Sequence, residues 1–517
     1  MKEIKVYRIT QTRSGHPTLL VSREGKEIPL HSSVDPLREA ESMRDRFDPG
    51  RYDTLVVLGT GLAYHLLPLE SMLDAYTSVF LIDILDGIRE TVAEGAAAFL
   101  SRNHRVRFLT GLAPEEVAAE LSSALDLGST RGISVLEHPA SMRIFPEYYL
   151  AVKKQIESVI NKKAGNEATR KAFGVKYFRN ILSNCAMAGE FMPVAGLFGR
   201  FKGCTAIIAT SGPSLDRCLG IIREQQTGCC IIAADSALPV LERSGIRPDF
   251  TVSIDPQPYI YEHLMLSEPG RTVPVLSISA SSRAFEWACR NAGKKDGMRF
   301  LSLNSHPLSQ VIASLGGDFG SIESGTGNVA GDAVRMAILM GFDRIALAGF
   351  DFSFPRYAIY ARGTAYQRRY GVYFQDRFST VETRNAAYIF ASSGGLKQQG
   401  LYTRKSFVQY RESLETLIGC GKTDIVSMMG EGLPISGAPA AGGEIFPGAP
   451  GTKNKTDILR SISAGRGPTR IAFKAADLKA ALNNKTLVKE LAAASAGGVL
   501  NEKKIEMMIK AFRRGDS

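Results

Sequence analysis

Short apolar runs alternate with helical patterns through the middle of the chain. Each run is rich in β-branched residues and carries almost no charge, which is typical of strands buried on both faces of a parallel sheet. The runs occupy residues 204–210, 229–234, 250–254, 273–279, 299–303 and 344–349. Strands that alternate with helices in this way predict the α/β class, with a Rossmann-like central domain built on a parallel sheet.

A smaller α/β domain is predicted ahead of it. Residues 53–61, DTLVVLGTG, predict a strand that runs into a Gly59-Thr60-Gly61 turn, and a second strand at 79–82 ends in Asp83. This is half of a dinucleotide or S-adenosylmethionine fingerprint. Tyr64 stands where the third glycine would fall, so the favoured interpretation is a degenerate domain that binds neither ligand.

These patterns divide the chain into four segments. We predict an N-terminal α/β domain at 1–146, a helical connector at 147–201, the central domain at 202–430, and a linker with a helical C-terminal domain at 431–517. The linker, 431–453, is crowded with Gly, Pro and Ala, which favour loops.

Charge is concentrated at one end of the 517-residue chain. The net charge is +11, but residues 451–517 hold 14 Lys and Arg against 6 Asp and Glu, which accounts for +8 of it. The body of the protein is therefore nearly neutral, and nucleic acid is not an expected partner. The basic segment predicts either an acidic partner or a solvated helix face, and the solvated face is the simpler interpretation.

The cysteine, histidine and apolar content of the chain narrows the class of protein further. The seven cysteines form no CxxC pair and mostly lie in apolar runs, as reduced core residues do. The seven histidines show no HxH or HExxH spacing, so no metal site is predicted. No apolar run is long enough to span a membrane and the first residues lack a signal-peptide pattern, so we expect a cytoplasmic protein without membrane contact.

The first strand of the central domain ends in a turn that predicts an anion site. In CTAIIATSGPSLDRCLGIIRE, residues 204–224, Gly212 permits close approach of the backbone, Pro213 suits a first helical position and Ser214 suits a cap. A helix N-terminus at the carboxyl end of a strand binds anions, most often phosphates. An ordinary strand-turn-helix corner is the alternative.

Polar residues also follow the other predicted strands, which end at the same edge of the sheet. They are Asp235 with Ser236, Asp255, the segment from Ser279 to Ser281, and Asn304. Asp235 lies 23 residues after Gly212, close to the offset at which an acid reaches a ribose in nucleotide-binding units. Repeated polar strand ends therefore predict a ligand crevice at this edge.

Two more features complete the predicted crevice. Ser324, Gly325, Thr326 and Gly327 form a second hydroxyl-rich helix start, and the strand at 344–349 runs into Asp351. The following loop, 355–377, alternates five Tyr with five Arg and predicts a lid over an anionic, sugar-like ligand.

Four stretches resemble the motility-associated factor (Maf) family of flagellin glycosyltransferases. They are ATSGPSLD (209–216), AADSALPVLERSGIRPDFTVSIDPQP (233–258), SGTGNVAGDAVRMAILMGFDRIALAGFDFSF (324–354) and SFVQYRESLETLI (406–418). The central domain is in turn similar to bacterial lipooligosaccharide sialyltransferases, whose Gly-Pro-Ser-Leu turn and Ser-Gly helix start match Gly212 to Leu215 and Ser324-Gly325.

The resemblance implies transfer of a nonulosonic acid, such as pseudaminic or legionaminic acid, from its CMP donor to Ser or Thr of flagellin. No cofactor is then required, and Mg²⁺ stays an option that no pattern demands. Those sialyltransferases carry a histidine base after the final strand, whereas residues 350–404 contain no His. The base is therefore unassigned, with Asp255 and Asp351 as candidates.

The residue patterns and the family resemblance together give the expected catalytic and donor-binding residues. Asp255, Asp351 and Tyr360 are the catalytic candidates, with Tyr357 and Tyr366 as further phenols for the leaving phosphate. The expected donor-binding residues are Thr210, Ser211, Gly212, Pro213, Ser214, Asp235, Ser236, Ser279, Asn304, Ser324, Gly325, Thr326, Phe352 and Tyr366.

Two other functions stay open. Archaeal hydroxymethylpterin pyrophosphokinases share the Gly-Pro-Ser-Leu domain and would need Mg²⁺ and clustered carboxylates. A non-enzymatic flagellar assembly factor would keep the fold and bind flagellin through its helical ends. Binding of CMP alone, of ATP with Mg²⁺, or of neither distinguishes the three.

Overall fold

The computed structural model describes most of the chain. The described residues are 7–23, 26–41, 43–125, 130, 132–268, 270–290, 297–316, 319–373, 379–421, 423–428, 430–441, 455–463, 469–494 and 502–514. Residues 374–377 of the predicted lid and 442–453 of the predicted linker lie outside them. The chain divides into two compact units, Met1–Ala168 and Thr169–Ser517.

The first unit is the predicted smaller α/β domain. Its main elements are β1 (Tyr7–Gln11), β2 (Pro17–Arg23), β3 (Lys26–Pro29), α1 (Pro36–Glu41), β4 (Thr54–Leu58), a 3-10 helix (Tyr64–Ala75), β5 (Ser78–Asp83), α2 (Ile88–Ala93), α3 (Phe99–Arg102), β6 (Val106–Thr110), α4 (Pro114–Ala124), β7 (Ile133–Glu137), α5 (Pro139–Ile144) and the first part of α6 (Pro146–Cys185). β1, β2 and β3 form an antiparallel sheet, and the parallel sheet has the order β6-β5-β4-β7.

Alternate residues of β4 explain why this strand is apolar from Leu55 to Leu58. Leu55 and Val57 pack into the core on one face of the sheet, and Val56 and Leu58 pack into the core on the other. Side chains of a strand point to opposite faces in turn, so a strand covered on both sides has no position for a polar residue.

The second unit contains the predicted central domain. Its strands are β8 (Met192–Pro193), β9 (Thr205–Ala209), β10 (Cys230–Ala234), β11 (Phe250–Ser253), β12 (Val273–Ser277), β13 (Phe300–Ser302), β14 (Arg344–Ala348), β15 (Lys397–Gln398), β16 (Leu401–Tyr402), β17 (Asp424–Met428) and β18 (Ala440–Ala441). After α6, its helices are α7 (Leu215–Gln225), α8 (Leu238–Arg243), α9 (Tyr261–Leu264), α10 (Ser282–Cys289), α11 (Pro307–Gly316), α12 (Val329–Met340), α13 (Ala365–Arg368), α14 (Val381–Ser393), α15 (Lys405–Gly419), α16 (Lys455–Ser461), α17 (Ala475–Ala481), α18 (Lys485–Ala494) and α19 (Glu502–Arg514).

Nine of the described strands form one sheet whose pairs are all parallel. Its order is β18-β17-β14-β9-β10-β11-β12-β13-β8. The six strands predicted from the apolar runs are confirmed and lie next to one another. The chain proceeds from β9 outward to β13, then returns to place β14 on the other side of β9. This reversal between β9 and β14 is the topological switch point, where α/β sheets of this kind bind ligands.

The C-terminal helices do not form a core of their own. Leu478, Leu491, Ile505 and Phe512 pack in the same apolar cluster as Trp287 of α10 and the side chains of α11 and β12. The predicted helices are therefore present, but the observed division into two units differs from the predicted four segments, because these helices bury their apolar stripes against the central sheet layer. Within the described residues, no helix combines the length and apolar character needed to cross a lipid bilayer.

Candidate functional site

The ends of β9 and β14 meet closely at the switch point. Thr210 Oγ1 donates to the Gly349 carbonyl at 2.6 Å, and the Thr210 N–H donates to the Ala348 carbonyl at 2.9 Å. Gly349 has φ +78°, and a Cβ on it would strike the Thr210 carbonyl. Gly212 is confined in the same way by Gly349 and Asp351. These glycines therefore allow the two strand ends to approach each other closely.

The helix start after β9 is capped from across the sheet. Asp351 Oδ2 accepts the N–H of Ser214 at 2.9 Å, whereas the Ser214 side chain makes no capping bond and α7 begins at Leu215. The local cap predicted for Ser214, and the first helical position predicted for Pro213, are therefore wrong. The reason is that a charged acceptor from β14 satisfies the first free amide, which is also where a ligand phosphate was expected.

Asp351 is consequently a structural residue as well as a catalytic candidate. It is 4% exposed, and burial raises its pKa to about 6, although the bonds from Ser214 oppose this shift. Its Oδ1 atom has no hydrogen-bond partner among the described residues. An acid with one engaged and one free oxygen can hold the turn and still receive a proton.

A second carboxylate lies at the end of β10. Asp235 Oδ1 accepts the Ser236 N–H at 2.7 Å and Oδ2 accepts the Ser253 hydroxyl at 2.6 Å. The Ser236 hydroxyl in turn lies 2.8 Å from that of Ser211, so the ends of β9, β10 and β11 are linked by side chains. Burial raises the pKa of Asp235.

The third carboxylate brings in a histidine that sequence reasoning missed. Asp255 accepts the Gln257 N–H at 2.9 Å and the Tyr259 hydroxyl at 3.2 Å. Burial raises its pKa and the charge of Asp235 adds to the rise, while His263 on α9 lowers the pKa of both carboxyls. His263 Nδ1 is buried and has no hydrogen-bond partner among the described residues. No spacing in the sequence marks this residue, because it meets the acids only through the packing of α9.

Strands β12 and β13 contribute the next part of the crevice. Asn304 Nδ2 donates to the Ser279 hydroxyl at 2.7 Å, so these two predicted residues are in contact. The backbone around them is held by α6, where Asn184 Nδ2 donates to the carbonyls of Ile278 and Ala280, both at 2.8 Å. Asn180 donates to the carbonyls of Pro256 and Ser279 at 2.9 and 3.1 Å. Two asparagines one helical turn apart on an amphipathic helix were the signal available for this role.

The second helix start is organised by Asp332, which was also missed. Asp332 Oδ1 accepts both the N–H and the hydroxyl of Ser324, at 2.8 and 2.6 Å, and the Ser324 hydroxyl lies 2.8 Å from that of Thr326. Asn328 caps α12 by accepting the Gly331 N–H at 2.9 Å. Gly325 is exposed with φ +74° and open space around it, so its backbone faces the crevice rather than the core.

Tyr177 on α6 lies between the two halves of the site. Burial raises its pKa to about 12, and Asp255, Glu323 and Asp332 each add to the rise. The pKa of this phenol therefore depends on acids from both regions. Among the described residues, Ser324 and Thr326 bond to each other, whereas Ser211 bonds to Ser236.

The lid is fixed to the first turn at several points. The Ala361 N–H donates to the Ser211 carbonyl at 2.9 Å, and the Arg362 N–H donates to Asp216 at 2.9 Å. Glu431 pairs with Arg356 of the lid at 3.0 Å and with Arg217 of α7 at 2.8 Å. The lid therefore lies over the carboxyl end of β9.

The backbone that leads into the lid is strained. Phe352, Arg356 and Tyr357 have φ values of +48°, +55° and +54°. Side chains other than glycine adopt this region rarely, and such residues cluster at functional sites. The half-buried Phe352 packs against an apolar cluster of the second unit.

Three lid tyrosines pack against one another with tilted rings. The ring of Tyr366 lies 5.2 Å from that of Tyr360 and 4.7 Å from that of Tyr370. Tyr360 also adds to the rise in the pKa of Tyr259, the phenol bonded to Asp255, although burial is the largest cause of that rise. Burial raises the pKa of Tyr366 to about 12. These phenols stay protonated at neutral pH and can donate hydrogen bonds to an anion.

A basic pocket flanks the lid. It measures about 510 Å³, and Arg243, Arg356 and Arg362 line it together with Gln367. Arginine forks bind carboxylates and phosphates in two-point contacts. The pocket therefore offers a place for an anionic group next to the crevice.

Fold and site together define a doubly wound α/β protein with a candidate ligand site at the switch point. The comparisons with known proteins agree with this class. A structure titled MAf glycosyltransferase from Magnetospirillum magneticum AMB-1 aligns with 98% of this chain and 86% of its own, at a TM-score of 0.57 and 13% identity. The predicted resemblance to Maf proteins is thus confirmed as a shared fold.

Sequence comparisons cover smaller parts of the chain. A family model described as 6-hydroxymethylpterin diphosphokinase MptE-like matches residues 179–356. Two uncharacterized proteins of Treponema pallidum (strain Nichols) are 39% identical over 85 residues and 27% identical over 162 residues. These alignments span 16% and 30% of this chain, and 40% and 54% of the relatives, so less than two thirds of either relative is matched.

Proposed function

We propose that the central domain is a glycosyltransferase that moves a nonulosonic acid from a CMP-activated donor to a hydroxyl of an acceptor protein, with flagellin as the expected acceptor. The observation that carries this proposal is the set of polar groups at the strand ends near the switch point. It combines two helix starts rich in hydroxyls with the buried Asp235 and Asp351, the half-buried Asp255, a histidine and a tyrosine-rich lid. The fold shared with a solved Maf glycosyltransferase supports the same class.

The residues suit a displacement at the anomeric carbon. The acceptor oxygen forms the new bond to that carbon while the bond from carbon to the CMP phosphate oxygen breaks, and CMP carries away the electron pair. The enzyme must then remove the acceptor proton and stabilise charge on the phosphate. We assign Tyr360, Tyr366 and the exposed backbone of Gly325 to contact with the phosphate.

His263 is our candidate for the general base. Its Nδ1 atom is buried and unpartnered within the described residues, and its charge interacts with Asp235 and Asp255. Asp255 then orients the site, and Asp351 holds the turn after β9.

The test measures donor binding and transfer separately. CMP and CTP should raise the melting temperature of the full chain, and ATP with Mg²⁺ should not. His263→Asn should retain the CMP shift and slow transfer from a CMP-nonulosonate to flagellin by about 10²–10⁴-fold, the usual contribution of a general base. His104→Asn, at an exposed histidine of the first unit, is the matched control. An active His263 variant would remove this base from the mechanism.

A second candidate function has one observation in its favour. The MptE-like model matches residues 179–356, which include the carboxylate pair Asp235 and Asp255. A pyrophosphokinase would need ATP with Mg²⁺. A thermal shift with ATP and Mg²⁺ but not with CMP, together with AMP release in the presence of hydroxymethylpterin, would establish it in place of the transferase.

A further inference from the structure

Three histidines converge in the first unit although they are far apart in the sequence. His31 follows β3, His65 lies on the 3-10 helix after the GxG turn, and His138 follows β7. All three are buried, with 3%, 2% and 1% of their surface exposed. One ring nitrogen of each lies within 4.8 Å of the corresponding atoms of the other two.

The ring spacing matches imidazoles arranged around one ion. The ring centroids are 4.6 Å apart for His65 and His138, 5.0 Å for His31 and His138, and 6.2 Å for His31 and His65. Because a zinc–nitrogen bond is about 2 Å long, centroids of two imidazoles on one tetrahedral zinc lie about 5 Å apart.

The nitrogens of this cluster are poorly satisfied by protein. Nε2 of His138 is buried and has no hydrogen-bond partner among the described residues. Both ring nitrogens of His65 are also buried and lack a partner at hydrogen-bond geometry there, although the Gly59 backbone lies near enough to act on this ring. Buried polar atoms are almost always paired, so three unpaired nitrogens at one point require an explanation such as an ion.

Neighbouring groups orient the rings. His138 Nδ1 lies 2.8 Å from the Ser141 hydroxyl, which leaves Nε2 directed into the cluster. His31 Nε2 accepts the Leu62 N–H at 2.8 Å, so coordination by that atom exchanges one backbone hydrogen bond for a metal bond. His65 and His138 are therefore ready ligands, and His31 completes the set by a small adjustment.

The GxG turn makes room for this cluster. A Cβ on Gly59 would meet Ser141 and the Cβ of His138, and one on Gly61 would lie 2.5 Å from His31 Nε2. Asp83 occupies the turn's amides, accepting the N–H groups of Thr60 and Gly61 at 2.7 and 3.0 Å. The N–H groups of the turn are thus already hydrogen-bonded to Asp83, and its glycines leave space for the histidine cluster. Both features support the prediction that the turn does not bind a nucleotide.

We propose that His31, His65 and His138 form a binding site for a divalent transition metal of the zinc class. Three imidazoles provide the nitrogen ligands that Zn²⁺ prefers, and water can take the fourth tetrahedral position. This site is separate from the central crevice, so the proposal does not depend on the glycosyltransferase assignment.

The test uses the full chain stripped with a chelator. Titration with Zn²⁺ should show one equivalent bound and a higher melting temperature, and Co²⁺ should produce the visible absorption of a tetrahedral site. His65→Ala and His138→Ala should each lose at least tenfold in Zn²⁺ affinity, whereas His104→Ala should bind as the parent does.

The Co²⁺ spectrum keeps the proposal testable if a variant fails to fold, because it is recorded on the unaltered chain. Absence of both the spectrum and the zinc-dependent melting shift in the unaltered chain would overturn it. So would full zinc binding by a folded His65→Ala and His138→Ala double variant.

Discussion

Asp332 shows how a single carboxyl can order a binding loop at a cost in stability. It accepts two bonds from Ser324 and thereby shapes the Ser-Gly helix start, yet it is 6% exposed and burial raises its pKa to about 7. A buried acid with a raised pKa is favoured in its neutral form by folding. Asp332 therefore organises the loop, but its ionisation near neutral pH destabilises the folded state.

This shift predicts an unusual pH dependence. The unfolded carboxyl ionises near pH 4 and the folded one near pH 7, so the folded state binds more protons between these values and stability falls as pH rises through this window. Asp332→Asn, which keeps an oxygen for Ser324, should flatten this fall and stabilise the chain at pH 8 by up to about 3–4 kcal/mol, from about 1.4 kcal/mol per pKa unit.

Denaturant melts from pH 4 to 8 would measure this effect. Asp457→Asn, at a side chain that is 70% exposed, is the control and should leave the profile unchanged. Equal profiles for the Asp332 variant and the parent would contradict the assignment of the shift to this residue.

At the scale of elements, the lid and the first turn behave as one assembly. Glu431, 21% exposed, pairs with Arg356 of the lid and Arg217 of α7, and the strained Arg356 and Tyr357 lie at the same place. Strained backbone persists only where its surroundings hold it. Glu431 is thus expected to keep the lid in its observed position.

Glu431→Gln should release the lid while leaving the sheet intact. We expect faster tryptic cleavage at the lid arginines and weaker donor binding, with a loss of stability of about 1 kcal/mol or less because the arginines are half exposed. Glu412→Gln on the exposed side of α15 is the matched control. Unchanged cleavage kinetics would show that backbone bonds such as that from Ala361 to Ser211 hold the lid without Glu431.

At the scale of the whole molecule, the basic C-terminal segment is part of the folded core. Lys455 is buried and pairs with Asp249 at 2.8 Å, and it donates to the Cys229 carbonyl at 2.7 Å. In α19, Ile505, Ile509 and Phe512 form one buried stripe while Lys503 and Lys510 are exposed. Charge and packing in this segment are therefore on different faces and can be altered separately.

Deleting residues 455–517 should unfold the second unit and abolish CMP binding, because it removes the stripe and the buried Lys455. The double charge reversal Lys503→Glu and Lys510→Glu should leave the melting temperature nearly unchanged. If these charges attract an acidic acceptor, the reversal will weaken flagellin pull-down, and this effect will be greatest at low salt. Pull-down that is unaffected would make the basic face a solvated surface only.

Much of the fold could be predicted from the sequence because its signals are local. An apolar run such as Cys204 to Thr210 can be buried only as a strand covered on both faces, and a turn such as Ser211 to Ser214 must follow where the run stops. Parallel strands end at one edge, so the placement of Asp235, Asp255, Ser279 and Asn304 in one region also followed from the pattern. These features could be predicted because they follow from the local conformational preferences of the residues themselves.

Tertiary structure alone decided which of those residues meet. Asp351 caps a helix start 137 positions away, Lys455 reaches Asp249 across 206 positions, and His263 approaches two acids through the packing of α9. His31, His65 and His138 have no metal-binding spacing in the sequence, yet three separate elements carry them to one point. Such contacts depend on strand order and helix packing, which many residues set together, and so no local pattern records them.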